Sequence, residues 1–352
     1  MMYKMKIAVL GAGAIGSLFG AYLSRFCDVL LVGRREHVEA VNAAGLQITG
    51  VTDRVFEVKA AEKIPDENFD LIIITTKAYD TEKAALSVPP KLRSKALFLS
   101  LQNGLTNYEA LRRHVPEKNI LLGITAQGAT FLEPGHIEHA GAGETTIGAP
   151  CKSAAQAHEN DVALIAELFN DAGLPCRVSG AVMRDVWTKA AINSAINPVT
   201  AITGLRNGEM LDVEPLARLC ESIAKESAEV ARAAGGAASG VALDKEFSQE
   251  NSEQVLSKIT RRNIVPKLTK ILIETAANKS SMLQDIERGR RTEIESINGE
   301  IARVGAVHGV PTPLNNAIAA LVKGIERSTT GTEAGIAYCQ GTSRTKAPSR
   351  QD

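Results

Sequence analysis

A short apolar run that breaks into three spaced glycines and resumes at helical period constrains this chain more than any other stretch of its 352 residues. The run is Lys6-Ile7-Ala8-Val9-Leu10, and the glycines are Gly11, Gly13 and Gly16. A continuous apolar stretch of this length reads as a buried parallel strand, and Ile15 to Leu23 repeat their apolar residues at helical spacing. Strand, Gly-x-Gly-x-x-Gly turn and helix in that order are the signature of a dinucleotide-binding unit. Gly11 serves the tight turn, Gly13 the close approach of a pyrophosphate, and Gly16 the contact between helix and strand. The turn runs through Ala14 and Ile15 into a helix N-terminus, where unpaired N–H groups and the dipole favour an anion. A glycine-rich turn with no ligand is the bland alternative, and the flanking strand and helix argue against it.

Asp28 to Val32 predicts the second parallel strand, and the residues just beyond it decide which dinucleotide fits. They are Gly33, Arg34, Arg35 and Glu36. An acid at this position binds the ribose 2′-hydroxyl of NAD, whereas an arginine accommodates the 2′-phosphate of NADP. Arg34 sits directly on the strand end and Glu36 falls two positions later, so NADP(H) is the expected cofactor. Phe69 to Lys77 forms a further strand that ends in a lysine, and Ala96 to Leu101 another, followed by Gln102-Asn103-Gly104. Ligands of open parallel sheets bind outside the carboxyl ends of the strands, which directs Lys77 and Asn103 toward one crevice. Asn-Gly is also a turn signal in its own right. Leu46 to Val58 alternates only weakly. Between Ile120 and Ala149 the pattern turns to short glycine-rich strands, Ile120–Ile124 and His136–His139, expected as antiparallel edge strands. His136 and His139 have no third ligand nearby and are expected at the surface, with no metal.

The bulk numbers narrow the class. Forty basic and forty acidic residues leave no formal net charge, so nothing drives the chain onto nucleic acid or an anionic membrane. Five cysteines are scattered without a Cys-x-x-Cys pair, which argues against a zinc knuckle or a disulfide framework and for reduced thiols in a cytoplasmic protein. No apolar run reaches the length of a membrane span. The length calls for two domains. The expected division is an N-terminal Rossmann-type domain over 1–179, an all-α domain over 180–327, and a tail over 328–352, rich in Ser, Thr and Gly, outside the core.

Beyond Gly180 strand patterns give way to helical ones. Met183 to Asn197 predicts a helix that Pro198 ends, and along it Lys189, Asn193 and Asn197 are spaced four apart, which stacks them on one face. With Trp187, Ala190 and Ile196 around it, this polar row looks either into a desolvated cleft or into solvent, and a snorkelling surface lysine is the commoner fate. Further helices are expected from Asp212 to Gly236, from Gln254 to Ala277 after a loop at Ala237–Leu243, and from Pro313 to Arg327. Ser281-Met282-Leu283-Gln284 and Thr292-Glu293-Ile294-Glu295 both have the form of a capping box, a structural account that needs no chemistry.

These motifs together resemble the ketopantoate reductase (2-dehydropantoate 2-reductase) family. The resemblance rests on Gly11-Ala-Gly13-Ala-Ile-Gly16, Lys77, Gln102-Asn103-Gly104, Trp187-Thr-Lys189-Ala-Ala-Ile-Asn193-Ser-Ala-Ile-Asn197-Pro198, and Ser280-Ser281-Met282-Leu283-Gln284-Asp285 followed by Thr292-Glu293-Ile294-Glu295. It runs from about Lys6 to Arg327 and leaves out Gly235–Asn251 and the tail. It implies NADPH-dependent reduction of 2-dehydropantoate to (R)-pantoate on the route to pantothenate and coenzyme A, by a monomer or homodimer. It further implies that Lys189 is the general acid with Glu293 beside it at the cofactor. Asn193, Asn197 and Ser281 would hold the substrate, while Asn103 and Lys77 span cofactor and substrate. A related NADP-dependent dehydrogenase acting on another 2-oxo or 3-hydroxy acid is the alternative enzyme. A protein that only senses NADPH is disfavoured, because a sensor needs no row of donors such as Lys189, Asn193 and Asn197.

Overall fold

The computed structural model describes residues 3–236 and 259–329. The N-terminal half is built on strands β1 (Lys6–Leu10), β2 (Asp28–Val32), β3 (Leu46–Gly50), β4 (Arg54–Phe56), β5 (Lys59–Ala61), β6 (Leu71–Ile74), β7 (Leu97–Ser100), β8 (Ile120–Thr125), β9 (Gly128–Glu133), β10 (His136–Gly141), β11 (Thr145–Gly148) and β12 (Cys176–Val178). The main sheet has the order β12-β11-β8-β7-β6-β1-β2-β5. From β8 to β5 its strands are all parallel. Counted along the chain, those six strands lie in the order of a doubly wound dinucleotide-binding sheet, which reverses between β1 and β6. Their apolar runs follow from burial on both faces. Ile7 and Val9 of β1 enter the core on one side with Leu71 and Ile73 of β6, while Ala8 and Leu10 join Ile72 and Ile74 on the other.

Two expectations fail in this half. Ile120–Thr125 is no edge strand: β8 pairs parallel with β7 on one side, and only its other neighbour, β11, is antiparallel. Gly123, which suggested an edge, is needed because a Cβ there would stand 2.7 Å from Leu101. His136–Gly141 lies in a separate sheet of order β4-β3-β10-β9, parallel to β3 and antiparallel to β9. There His139 is buried rather than on the surface, its ring hydrogen-bonded to Gln127 at 3.0 Å and to Thr52 at 3.1 Å. Desolvation holds the His139 pKa below its usual value.

The second half is helical and has its own core around Trp187, Ile196, Met210, Ile223, Leu268, Ile301 and Val322. Its central helix runs from Val182 to Thr203 and passes through Pro198, against expectation, before Gly204 ends it at φ +75°. Proline removes the donor that would meet the carbonyl four residues back and costs a helix interior about 3 kcal/mol. Here that carbonyl, of Ser194, accepts instead from the side-chain amide of Asn298 at 2.9 Å. Tertiary packing supplies what the local rule says is missing. The next helix spans Glu214–Gly236. The helix expected from Gln254 begins at Arg261 within the described residues, where the Thr260 side chain and Asn263 form a capping box. The loop expected at Ala237–Leu243, and nearly all of the tail, lie outside the described residues. No described helix is long and apolar enough to cross a membrane.

Candidate active site

The carboxyl end of β1 supplies the first wall. Gly11 has φ +101°, and a Cβ on it would stand 2.6 Å from the Thr76 nitrogen; a Cβ on Gly16 would stand 2.3 Å from the Gly11 carbonyl oxygen. Packing within the chain therefore accounts for both. It does not account for Gly13, which is exposed and where a Cβ would meet only the Gly11 oxygen, at 3.9 Å. The helix Ala14–Leu23 that starts there has no side-chain cap and no acid in its first turn. Open space over bare N–H groups at a dipole's positive end is a fit for a pyrophosphate. Beyond β2, Arg34 is exposed and caps the helix Arg35–Ala44. Arg35 pairs with Glu39 at 2.7 Å, and Glu36 is exposed in the first helical turn. Arg34 has no ion pair among the described residues, so it is the group at this strand end suited to a phosphate.

The loops after β6 and β7 form the floor and are locked to each other. The Gln102 amide donates to the Thr76 carbonyl at 2.9 Å and to the Thr81 hydroxyl at 2.8 Å. That hydroxyl donates to Asn107 Oδ1 at 2.9 Å, and the Asn107 amide donates to the Asn103 carbonyl at 2.7 Å. Gln102 is thus a brace for the Lys77 and Asn103 loops.

The helical half closes the other side. Glu293 is 6% exposed and accepts the Ala78 N–H at 2.8 Å, and the neighbouring Asn103 side chain favours its charged form. Lys77 Nζ lies 2.5 Å from Asp285 Oδ2 and 3.9 Å from Glu293 Oε2. Burial pulls the Lys77 ammonium down, and the two carboxylates more than reverse this, so its pKa is raised. Burial raises both Glu293 and Asp285 above the usual carboxylate range, against the opposing pull of Lys77. Arg291 stacks on the Tyr79 ring at 4.5 Å and extends the same contact outward. The second capping-box expectation fails in this segment. Thr292 Oγ1 accepts from the Ile294 N–H, but the Thr292 N–H goes to Glu326, and Glu295 pairs with Lys323. Glu293 thus carries no cap and is left for the cleft.

Lys189 reaches across from the central helix, its ammonium donating to the Thr125 carbonyl, at the end of β8, at 2.9 Å. Desolvation lowers its pKa to about 8, against the attraction of Glu293. Asn193 is partly exposed on the same face and Asn197 is buried. Lysine, two carboxylates and a row of amides beside an uncapped phosphate turn can hold an anionic small molecule and deliver one proton to it.

Residues 7–151 match the family described as Ketopantoate reductase PanE/ApbA, and residues 181–326 match Ketopantoate reductase PanE/ApbA C terminal. The chain is 38% identical to the 2-dehydropantoate 2-reductase of Pyrococcus horikoshii over 323 residues, covering 92% of this chain and 98% of that one. The chain belongs to the ketopantoate reductase family. Another relative, the 2-dehydropantoate 2-reductase of Archaeoglobus fulgidus, is 32% identical and covers 92% of this chain and 99% of its own. Among solved structures, a PanE/ApbA family ketopantoate reductase from Ralstonia eutropha JMP134 superposes with a TM-score of 0.76 at 32% identity, over 93% of this chain and all of that one. D-mandelate dehydrogenase in a ternary complex with NADH and anilino(oxo)acetate superposes with a TM-score of 0.80 at 27% identity, over 93% of this chain and all of its own. The family fold thus carries a dinucleotide-binding half and a helical half, as here.

Within this ketopantoate reductase fold the Ser280-Ser281 pair divides its labour differently from the capping box expected of Ser281. The cap is Ser280, whose hydroxyl accepts the Leu283 N–H at 3.1 Å while Thr200 donates to it at 2.7 Å. Gln284 bonds the Lys279 carbonyl instead of returning to the cap. Ser281 is exposed at the first helical position, four residues before Asp285 and so on the same helix face. Asp285 is the site group that residue-by-residue reading passed over. Its signal was present, since a buried acid inside a short capped helix has to find a cation.

Proposed function

We propose that this protein reduces 2-dehydropantoate to (R)-pantoate with NADPH, supplying pantoate to pantothenate and coenzyme A synthesis. The observation that carries the reading is Lys189: a lysine with its pKa depressed to about 8, in one row with Asn193 and Asn197, electrostatically coupled to Glu293. The reduced nicotinamide, when bound, supplies the hydride. The residues suited to hold the dinucleotide are Gly11, Gly13, Ala14, Ile15 and Gly16 at the phosphates, Arg34 at the 2′-phosphate, and Lys77, Asn103 and Glu293 toward the reacting end.

The chain's own work is to bind, orient and move one proton. Asn193, Asn197 and Ser281 offer donors and acceptors to the substrate's hydroxyl and carboxylate, and Asn103 sits where the two ligands would meet. As the ketone carbon gains hydride, its oxygen becomes an alkoxide, which the Lys189 ammonium stabilises and protonates. The C=O π bond is consumed, C–H and O–H bonds form, and Lys189 is left neutral. A cation aimed at developing charge in a partly desolvated site can lower a barrier by several kcal/mol. Glu293, coupled to Lys189 and held by the Ala78 N–H, keeps the lysine protonated before the reaction.

The likeness to D-mandelate dehydrogenase keeps one competitor in view, a related enzyme for an aromatic 2-oxo acid. The test measures NADPH and NADH oxidation by the purified protein with 2-dehydropantoate and with phenylglyoxylate, the 2-oxo acid of mandelate. A kcat/KM about tenfold or more in favour of 2-dehydropantoate, equivalent to about 1.4 kcal/mol, supports the proposal. A preference for phenylglyoxylate would overturn its substrate assignment.

A further inference from the structure

The segment that carries Glu293 does not run straight into its α-helix. Glu295–Gly299 forms a π-helical turn before the helix Glu300–Val307. A π turn carries an extra residue and diverts the hydrogen bonds that an α turn would close. Here it makes contacts on two sides. On one side the Ser296 carbonyl accepts the Leu105 N–H at 2.9 Å, just past Asn103. Gly104 is pressed against the same carbonyl, so closely that a Cβ would stand 2.9 Å from its oxygen. On the other side Asn298, fully buried, gives its amide to the Ser194 carbonyl at 2.9 Å and to Asn315 Oδ1 at 3.0 Å.

Ser194 follows Asn193 on the central helix, and its carbonyl is the one from which Pro198 withholds the ordinary helical donor. We propose that Asn298 is a positioning residue for the reaction: by completing the carbonyl that Pro198 leaves open, it fixes the Glu293 segment against the helix bearing Lys189, Asn193 and Asn197. Both ends of this bond are buried, so water cannot replace either partner. The π turn joins the Asn103 loop at its front to the Lys189 helix at its back, with Glu293 at its entrance. Without Asn298 the helix and the turn can slide on each other. This inference rests on reading Lys189 and Glu293 as the catalytic pair.

The pairing of a proline with an asparagine lets one experiment separate closing the Ser194 carbonyl from tying the two segments together. Asn298→Ala opens the Ser194 carbonyl, and Pro198→Ala restores a backbone N–H that can close it within the helix. A displacement of about 1 Å in a catalytic group can cost on the order of a hundredfold in rate. Asn298→Ala is therefore expected to lose about 10- to 100-fold in kcat while the NADPH Kd, by fluorescence titration, stays within about twofold. The alkaline limb of its kcat/KM profile should move to lower pH, because Lys189 loses the attraction of Glu293 that raises its pKa. Pro198→Ala alone should stay near wild type; in the double variant the Ser194 carbonyl is closed again within the helix while the tie to the turn is still missing, so the melting temperature should recover and kcat should stay low. If Asn298→Ala does not fold, Asn298→Ser keeps a polar atom there but is too short to reach Ser194, and the same cycle is run on it.

A double variant that regains most of the lost kcat would overturn the proposal, because Asn298 would then serve only to satisfy the Ser194 carbonyl, as would a single variant that melts earlier but keeps full kcat and an unmoved pH profile. Lys189→Ala in the same assay separates the parent reading from this one. If Lys189→Ala is impaired and the Asn298/Pro198 double variant regains full turnover, only the positioning proposal falls. If Lys189→Ala turns over normally, the catalytic-pair reading falls first and takes the proposal with it.

Discussion

The two walls of the cleft are made of different materials. The sheet wall offers a ligand backbone: the uncapped N–H groups of Ala14, Ile15 and Gly16 at a helix start, close in sequence and following directly from one strand. The helical wall uses side chains brought from far apart, with Lys189 on one helix, Asp285 on another, Glu293 before a π turn, and Lys77 arriving from the opposite half. A backbone site is specified by a short motif, because the strand, the turn and the helix dipole come together in a few residues. A side-chain site exists only after the chain has folded. Its electrostatics, such as the depressed Lys189 and the raised Glu293, are products of burial in the finished structure.

The difference explains what could be read in advance. The strand ends at Lys77 and Asn103 and the Lys189-Asn193-Asn197 row were visible because period and strand polarity place them without tertiary information. Three other features were not. Pro198 was read as a helix end because the local rule is sound; the Asn298 amide that offsets it lies on a distant segment. Only Ser281, with Gln284 three residues on, fits the capping-box pattern, yet the Leu283 N–H bonds the Ser280 hydroxyl, so the helix begins one residue earlier than the pattern says. His139 looked superficial because β10 was not expected to pair with β3, the pairing that places it inside the smaller sheet.

The largest effect expected lies on the helical wall. Lys189→Ala should lose about two to four decades in kcat with NADPH affinity nearly unchanged, since the cofactor turn is on the other wall. Glu293→Gln belongs to the same test: a residue used only as a helix-end acid would cost about 0.3–1 kcal/mol of stability and little rate. The buried hydrogen bond from Ala78 and the attraction to Lys189 instead predict a clear loss of turnover. Turnover numbers and melting temperatures for both variants decide. If Lys189→Ala changes only the substrate KM, the lysine is a binding group and the comparison of the two walls loses its catalytic half.

The pH profile sharpens the same contrast. As the proposed proton donor, Lys189 would have to carry its proton, so kcat/KM should fall as pH rises through about 8. Stability should not fall with it on this residue's account. Because its folded pKa lies below the unfolded value, near 10.4, the unfolded chain binds more protons between the two, and the contribution of Lys189 to stability rises with pH across that window. A melting curve taken alongside the rate profile tells deprotonation from unfolding. An alkaline limb near the ordinary lysine value would remove the argument for desolvation.

On the sheet wall the side-chain contribution should be smaller and confined to one cofactor. If Arg34 holds the 2′-phosphate as proposed, Arg34→Ala should remove a charge-assisted contact worth about 1.5–3 kcal/mol, or about one to two decades in NADPH affinity. NADH, which lacks that phosphate, should bind nearly as before. Equal losses for both cofactors would take Arg34 away from the 2′-phosphate; loss of a helix cap would not explain them, since its side chain makes no capping hydrogen bond.

Two adjacent serines test whether stability and recognition can be separated within one dipeptide, and the stability effect between them is the smallest expected. Ser280 is buried, accepts the Leu283 N–H and takes a second hydrogen bond from Thr200, so Ser280→Ala should cost about 1 kcal/mol of stability. Because that helix also carries Asp285, some of the loss should appear as weaker docking of Lys77, seen as a modest rise in KM. Ser281 is exposed and makes no capping bond, so Ser281→Ala should leave the melting temperature alone. If its hydroxyl meets the substrate carboxylate, loss of one hydrogen bond to a charged group, about 1.5–3 kcal/mol, should raise the substrate KM by roughly one to two decades at most, with kcat little changed. Denaturant melts and Michaelis constants for the two variants give four numbers. A Ser281→Ala protein with normal KM would take Ser281 out of the site and leave substrate recognition on this side to Asn193 and Asn197.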